Sequence, residues 1–358
     1  MKTIVYFENE DRSCRYNSGI LGNIRQLYQE EMIVMVSAGD FSACGKILKP
    51  SCAQRSKEYV KAGADIVLSL PAASVLGGNG KKEFAGAALV QRLRTADRLI
   101  VPCIPLPGQT PEECGKQLRS LAMLMFKEEA GYRGRLTMHL KNRLPLRDAQ
   151  AETVCECVPE AKEILSCPEN RNALWLLDAM LQLYYMAKVE FIAVPEGLCR
   201  DNNVNELFTD ETDDGFDKTA AAKIAGLLTA SPAEKLIDIS GSTSQMVEAI
   251  IENKEKIREA GSLGQIVQLL APAPEDGARL FLLKAFSGIR KIYMQICGLH
   301  VYVPYCRVTA ANPGKSEMLQ EMKEKTWVPF ITEEGGDQKA MEDYYYLMQA
   351  DKKVQELL

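Results

Sequence analysis

The chain has 358 residues, of which 46% are hydrophobic and 25% are charged, and its formal net charge is −5. This composition is typical of globular proteins and excludes extended disorder, while the length allows two domains. The negative net charge gives no global attraction to nucleic acid, so DNA is not an expected partner.

Apolar runs of strand length alternate with helical patterns through the first hundred residues. Strands that read as nearly continuous apolar runs and alternate with helices indicate βαβ units, in which both faces of a parallel sheet are covered. The predicted strands are Thr3–Phe7, Met32–Val36, Asp65–Leu70 and Arg98–Ile104. The predicted helices between them are Ile24–Glu31, Ser51–Ala62 and Glu83–Arg94.

The rest of the chain is predicted to be mostly helical. Helices are expected at Pro111–Lys127 and Glu169–Met186, a last parallel strand at Val189–Val194, and helices again from Lys218 to Gly298. A short strand at Val301–Val308 and helices at Lys315–Lys325 and Asp337–Leu358 follow. The predicted fold class is therefore α/β, with a doubly wound parallel sheet in a domain at 1–229. A mainly helical C-terminal domain with a small appendage occupies 230–358.

Metal, membrane and secretion signals are weak in this sequence. The eleven cysteines are scattered without a CxxC motif, so we expect reduced thiols and no metal site. With only two histidines, a mechanism has to work largely without the usual acid–base group at neutral pH. The apolar run Ile4–Phe7 is too short for a signal peptide, and no stretch approaches a membrane span. We therefore expect a cytoplasmic protein with no membrane partner.

One segment is basic although the whole chain is acidic. Between residues 131 and 147 the cations have no acid among them. Two interpretations stay open at this stage: an ordinary solvated helix face, or a patch that contacts phosphates. The basic residues are Arg133, Arg135, Lys141, Arg143 and Arg147.

Ligands of an open parallel sheet bind at the carboxyl ends of its strands. The segment Ser37-Ala-Gly-Asp-Phe follows the second predicted strand and consists mainly of small residues. Such a turn suits backbone N–H contact with an anion, although small residues after a strand also form plain tight turns. Arg55, near the start of the next helix, either faces an anion site there or pairs with a carboxylate at the surface.

The order of these segments resembles the tRNA(Met) cytidine acetate ligase family of HIGH-type nucleotidyltransferases. The similarity runs along nearly the whole chain in a consistent order, in short pieces. The matching pieces are Gly39-Asp-Phe with Gly45 and Arg55, Gly63-Ala-Asp-Ile-Val-Leu-Ser-Leu-Pro71, Phe84-Ala-Gly-Ala87, Asp97, Pro168-Glu-Asn, Ser231-Pro-Ala-Glu, Tyr305-Cys-Arg-Val308, and Asn312 with Gly314.

This resemblance implies adenylation of acetate with ATP and transfer of the acetyl group to the wobble cytidine of methionine tRNA. The family's ATP site centres on an Asn-Pro-Phe-His-x-Gly-His loop, whose histidines stabilise charge on the departing pyrophosphate. Here the loop reads Cys14-Arg-Tyr-Asn-Ser-Gly-Ile20, which keeps Gly19 and replaces the histidines by Asn17 and Ile20. The family's Ser-Gly-Asn becomes Ala38-Gly39-Asp40, which brings a carboxylate to a phosphate position.

These departures lead to one leading hypothesis and two alternatives. The leading hypothesis is a divergent member of the family that is impaired in its ATP step. The alternatives are an active ligase or nucleotidyltransferase that modifies tRNA with a rebuilt phosphate site, and a non-catalytic interaction module. Cations that could replace the histidines are Arg12, Arg15 and Lys46.

The resemblance implies ATP and Mg²⁺ as cofactors and tRNA as partner. The candidate nucleotide-binding residues are Asn17, Gly19, Gly39, Asp40 and Arg55. The candidate RNA-binding residues are the five cations of the basic segment, Arg133, Arg135, Lys141, Arg143 and Arg147, together with Arg307.

Overall fold

The structure is a computed structural model. It describes residues 2–78, 80–142, 144–185, 187–199, 214–271, 273–332, 335–336 and 338–355. The described strands are β1 (Thr3–Phe7), β2 (Met32–Ser37), β3 (Ile66–Ser69), β4 (Arg98–Cys103), β5 (Val189–Ala193), β6 (Cys306–Ala311), β7 (Phe330–Thr332) and β8 (Gly335–Gly336).

Helices connect and cover these strands. In the first two hundred residues they are α1 (Cys14–Leu27), α2 (Cys52–Lys61), α3 (Ala72–Val75), α4 (Lys81–Leu93), α5 (Pro111–Lys127), α6 (Tyr132–Lys141), α7 (Leu146–Cys157), α8 (Ala161–Ile164), α9 (Pro168–Gln182) and α10 (Glu196–Cys199). Later in the chain they are α11 (Asp214–Ala230), α12 (Ala233–Asp238), α13 (Ser244–Glu252), α14 (Lys254–Glu259), α15 (Leu263–Leu269), α16 (Glu275–Ser287), α17 (Lys291–Leu299), α18 (Ser316–Lys325), α19 (Gln338–Asp343) and α20 (Tyr345–Gln355).

The described strands form a single sheet in the order β5-β4-β1-β2-β3-β6-β7-β8. The first five strands in this order, from β5 to β3, run parallel to one another, whereas β6 pairs antiparallel with β3. Alternate residues of β2 enter different cores: Val34 packs in the larger cluster and Met35 in the cluster on the opposite face. Both faces of the sheet are therefore buried, and the predicted doubly wound α/β fold is confirmed.

The helices from α11 to α16 enclose a second hydrophobic core of their own. Ile224 and Leu228 on α11 are fully buried in it with Phe281 on α16. The predicted boundary at residues 229/230 stays a prediction, and the structure adds that α11 packs with the helices after it. The last strands, β6 to β8, return to the sheet of the first part.

Some helices and strands begin or end at other residues than predicted, for identifiable reasons. Helix α1 begins at Cys14, not at Ile24, because Ser13 caps it by accepting a hydrogen bond from the backbone N–H of Tyr16. The strand predicted at Val301–Val308 lies at Cys306–Ala311, since Val301 and Tyr302 adopt positive φ angles in a turn. Helix α12 begins at Ala233, with Pro232 as its N-cap residue.

Candidate functional site

A small cavity lies where the carboxyl ends of the central strands meet. The last residues of β1, β2 and β4 contribute to its wall, together with Leu70 after β3 and the first turns of α9. Its volume is about 80 Å³. The sheet order reverses beside β1, so the cavity occupies the place at which ligands of doubly wound sheets bind.

Asn17 is fully buried and holds the loop after β1 in place. Its side-chain oxygen accepts hydrogen bonds from the hydroxyl of Tyr6 and the backbone N–H of Asn9, both at 2.9 Å. Its side-chain nitrogen donates to the backbone carbonyls of Asn9, at 3.0 Å, and Ser13, at 3.1 Å. These four bonds use the hydrogen-bonding capacity of the amide, so Asn17 has none left for a phosphate.

The neighbouring residues on helix α1 serve packing. Ile20 is fully buried in the core on the α1 face of the sheet. Gly19 lies inside α1, where a Cβ atom would come within 2.7 Å of the Leu198 side chain. The glycine therefore allows α1 to approach α10 closely, and its retention has a packing reason.

Arg55 is fully buried and forms an ion pair with Glu8, the residue that follows β1. Its Nε atom lies 2.8 Å from the Glu8 carboxylate, which also accepts hydrogen bonds from Tyr59 and Ser37. Burial opposes ionisation of Glu8, but Arg55 and these hydroxyl donors outweigh it and lower the pKa of the carboxyl. Arg55 is thus near the predicted loop, as expected, but its charge is matched by a buried carboxylate.

Gly39 and Asp40 connect this network to α2. Gly39 has φ +80°, a conformation that favours glycine, and its carbonyl accepts a hydrogen bond from Arg55. Asp40 accepts a 2.5 Å hydrogen bond from the backbone N–H of Cys52 at the first turn of α2. Burial raises the pKa of Asp40. The structure therefore gives Gly39 and Asp40 structural partners within the protein.

A second buried ion pair borders the cavity at the start of α9. The guanidinium of Arg12 lies 2.6 Å from Oε1 of Glu169, and both side chains are almost completely buried. The other carboxylate oxygen, Oε2 of Glu169, accepts no hydrogen bond within the described part of the chain. Arg12 also lies over the ring of Tyr16.

A cluster of four charges lies on the α4 side of the cavity. Lys82 is 2.8 Å from Glu10 and 3.6 Å from Glu83, and Glu83 also forms an ion pair with Arg147. Burial alone would raise the pKa of Glu83, but Arg147 and Lys82 lower it to about 2. Arg147, predicted as an RNA contact, lies in this cluster with its guanidinium 4.8 Å from the ring centre of Trp175.

The charges around the cavity are therefore balanced pair by pair. Four carboxylates face four cations: Glu8 with Arg55, Glu10 with Lys82, Glu83 with Arg147, and Glu169 with Arg12. A nucleotide needs a pocket of several hundred Å³ and cations that are available to its phosphates. The cavity here has a volume of about 80 Å³, and the cations beside it are paired with carboxylates.

The basic segment divides into parts with different environments. Arg133 and Lys141 are exposed on α6, and Arg133 lies 3.8 Å from Glu128. Arg135 lies 3.8 Å from Glu156 and donates a hydrogen bond to the sulfur of Cys157. The predicted residue Arg143 lies outside the described residues.

The remaining candidate cations lie apart from the cavity wall. Arg307 is half-buried in β6, where its charge acts on Asp40 and on Asp351. Arg15 is exposed on α1, and Lys46 is half-buried in the loop before α2. Arg12, in contrast, reaches a residue of the wall through its bond with Glu169.

A larger open cleft of about 970 Å³ adjoins this region. Its walls come from α7, from the start of α9 and from the start of α16, and they include the aromatic side chain of Trp175. The charged lining residues are Arg147 and Arg171 on the basic side and Asp11, Asp148, Glu275 and Asp276 on the acidic side. Among the described lining residues, carboxylates thus outnumber cations.

The described residues contain neither a metal-binding cluster nor a membrane-spanning helix. Among the residues that the structure describes, no three His, Cys, Asp or Glu side chains converge in a way that could hold a metal ion. None of the described helices is both long enough and apolar enough to cross a bilayer. A cytoplasmic location stays a prediction.

Sequence reasoning missed the carboxylates that organise this site. Glu8 directly follows the first predicted strand, and Glu169 lies in the Pro168-Glu-Asn piece that resembles the family. Glu83 and Lys82 carried no signal, because their partners lie far away in the sequence. The position of Glu8, directly after a buried strand, was a sign of the charged site that the sequence offered.

Comparisons with known proteins support the fold assignment. Two crystal structures of Thermotoga maritima TmcAL match: one bound with alpha-thio ATP, at 14% identity, and one without ligand, at 13%. Both have a TM-score of 0.69, and each match covers 100% of this chain and 92% of the other. No protein-family model and no curated protein sequence matches. The chain therefore has the fold of TmcAL over its whole length.

Proposed function

We propose that this chain is a divergent member of the tRNA(Met) cytidine acetate ligase family that has lost ATP-dependent adenylation. The observation that carries the proposal is the charge balance at the strand ends. Within the described part of the chain, each cation that reaches the cavity wall is paired with a buried carboxylate, as in the pair of Arg12 and Glu169. Phosphates entering such a site would have to displace these carboxylates and would be repelled by them.

The family part of the proposal rests on two independent supports. The short sequence pieces from Gly39 to Gly314 follow the family's order, and the fold matches TmcAL along the whole chain. The TmcAL crystal structure bound with alpha-thio ATP makes ATP the nucleotide to test first. The loss of adenylation rests on the local geometry of this chain.

Calorimetry with ATP and Mg²⁺ tests the proposal. We expect no binding of ATP in the micromolar range. The side-chain amide of Asn17 already makes its full set of hydrogen bonds within the protein, and the cavity is far smaller than a nucleotide. The Thermotoga maritima protein, with which alpha-thio ATP was crystallised, serves as the positive control. Pyrophosphate release with acetate and ATP should also be absent. A dissociation constant in the low micromolar range would contradict the proposal and favour an active enzyme.

An active enzyme with a rebuilt phosphate site is the second candidate. The observation that favours it is the adjoining cleft of about 970 Å³, which is large enough for a nucleotide and contains Arg147 and Arg171. The excess of carboxylates in the same cleft weighs against it. If ATP binds there, Arg171→Met should weaken binding at least tenfold, while the exposed Arg15→Met should leave it unchanged.

Transfer RNA is the partner to test, and helix α6 is the surface to test it on. Arg133 and Lys141 are exposed there, as a contact with phosphates requires. We expect a gel shift with methionine tRNA that weakens with salt, and a log–log slope that falls by roughly 0.7 to 0.9 for each phosphate contact removed. Reversing the charge of Arg133 and Arg135 should weaken the shift. Equal weak binding of an unrelated RNA, unaffected by the reversal, would leave α6 as an ordinary solvated surface.

A further inference from the structure

We propose that the cavity at the strand ends binds a small neutral molecule that donates hydrogen bonds, in place of the nucleotide that the fold would otherwise hold there. The inference rests on the proposed loss of ATP binding and identifies the ligand class that remains. It follows from the size of the cavity, from acceptor atoms that lack donors, and from the charge balance around them.

The size of the cavity limits the ligand to a few heavy atoms. A cavity of about 150 Å³ accommodates benzene. The cavity here measures about 80 Å³, so its occupant is smaller than benzene. Apolar side chains such as Ile100 and Leu176 make up much of the wall, so one side of the ligand has to be apolar.

Unsatisfied acceptors in the wall require a donor. Glu169 is 97% buried and lines the cavity, and its Oε2 atom accepts no hydrogen bond from any described residue. Glu83 also lines the cavity, and its Oε2 atom likewise accepts no hydrogen bond from any described residue. A buried acceptor without a hydrogen-bond donor raises the free energy of the folded protein. A ligand that supplies an N–H or O–H group removes this penalty, and the gain favours its binding.

The charge balance excludes ions of either sign. An anion would meet the unsatisfied oxygens of Glu169 and Glu83 and would be repelled. A cation would add a net positive charge, because Arg12 already neutralises Glu169 and Arg147 neutralises Glu83. An uncompensated charge in a buried site is strongly unfavourable. A neutral donor satisfies the acceptors and leaves the balance intact.

Three molecules of the same shape separate these cases: acetate, acetamide and acetamidinium. Each has four heavy atoms and one methyl group, and they differ in charge and in donor number. We expect acetamide to bind with a dissociation constant on the order of 1 mM, which is reasonable for so few atoms. Acetate and acetamidinium should bind at least tenfold more weakly. Ligand-observed NMR titration of the full chain measures all three.

Two variants on α9 show whether binding occurs in this cavity. Ala173 lines the cavity, so Ala173→Val fills part of it and should weaken acetamide binding at least tenfold. Ala179 is buried on the same helix but does not line the cavity, so Ala179→Val is the matched control and should bind normally. Thermal unfolding verifies that both variants are folded.

A charge change at the acceptor gives a readout that a purely structural role would not produce. Glu169→Gln keeps one oxygen for Arg12 but removes the negative charge, so the site acquires a net positive charge. The preference should then reverse, with acetate binding more tightly than acetamide. If this variant does not fold, the Ala173→Val comparison still decides the matter.

The outcomes separate this inference from the proposed function. Absence of acetamide binding up to about 50 mM, or acetate binding more tightly to the unmodified chain, would overturn the inference and leave a cavity that holds only water. Acetamide binding that Ala173→Val does not affect would also overturn it. Micromolar ATP binding would instead contradict the proposed function, whatever the acetamide result.

Discussion

Replacing Arg147 by methionine tests whether this residue stabilises the protein from inside or serves as a surface contact. The change removes the guanidinium and keeps most of the side-chain volume. Burial raises the pKa of Glu83, yet Arg147 and Lys82 together bring it from 4.5 to about 2. Because one pKa unit corresponds to about 1.4 kcal/mol, this lowering of the Glu83 pKa corresponds to about 3.5 kcal/mol. Lys82 is farther from Glu83 and shared with Glu10, so most of this belongs to Arg147.

The sign of the pH dependence follows from the lowered pKa. A carboxyl with a depressed folded-state pKa contributes stability above its unfolded pKa, near 4.5, and this contribution is lost as the pH falls toward 2. Urea unfolding at pH 7 should therefore show Arg147→Met to be less stable by about 2–3 kcal/mol, and the difference should shrink below pH 4. Arg133→Met, at an exposed arginine, is the control and should cost less than about 1 kcal/mol.

Two results would refute this reasoning. If Arg147→Met costs no more than Arg133→Met at pH 7, the ion pair with Glu83 contributes nothing measurable. If both proteins lose stability in parallel between pH 4.5 and 2, Arg147 does not set the pKa of Glu83. Either result would return Arg147 to the set of candidate RNA contacts.

Two further predictions concern other buried positions. Burial raises the pKa of Asp178 to about 6, so its charged form destabilises the protein increasingly as the pH rises above 3.8. The variant Asp178→Asn should therefore be more stable than the unmodified chain by about 1–3 kcal/mol in urea unfolding at pH 7, and by much less at pH 4. An equal effect at both pH values would contradict the charge argument. In helix α5, a Cβ atom at Gly115 would lie 2.1 Å from the ring of Phe191, so Gly115→Ala should cost about 1–3 kcal/mol in the same assay. The loss should be smaller in a Gly115→Ala/Phe191→Leu double variant, and an equal loss there would contradict the clash.

The sequence predicted most strands well because their burial on both faces leaves a continuous apolar run. Strand β2 was placed to within one residue, and helix α5 was placed at its observed ends. Helix α1 was placed too late, because its first half, which contains Asn17 and Gly19, was interpreted as the family's loop. The burial of Asn17 depends on Tyr6 and Asn9, which only the folded chain brings to it.

The candidate site was predicted in position but not in character. The rule that ligands bind at the ends of parallel strands identified the right edge of the sheet. The charges were interpreted one by one, and the partner of Arg147, Glu83, lies 64 residues away. Ion pairs between distant residues leave no periodic signal in a sequence, so the electrostatic balance of the site became visible only in the structure.

The pairing of β6 with β3 has a consequence for how the chain folds. Thr309 in β6 donates a hydrogen bond to the carbonyl of Val67 in β3, a residue 242 positions earlier. During synthesis the edge of β3 therefore stays unpaired until β6 has been made, which is after most of the chain. Contacts between residues so far apart in sequence also form slowly. An open edge of this kind is a site at which nascent chains associate with one another. Ribosome-bound chains that end before β6 should therefore depend on chaperones, while those that include β8 should not.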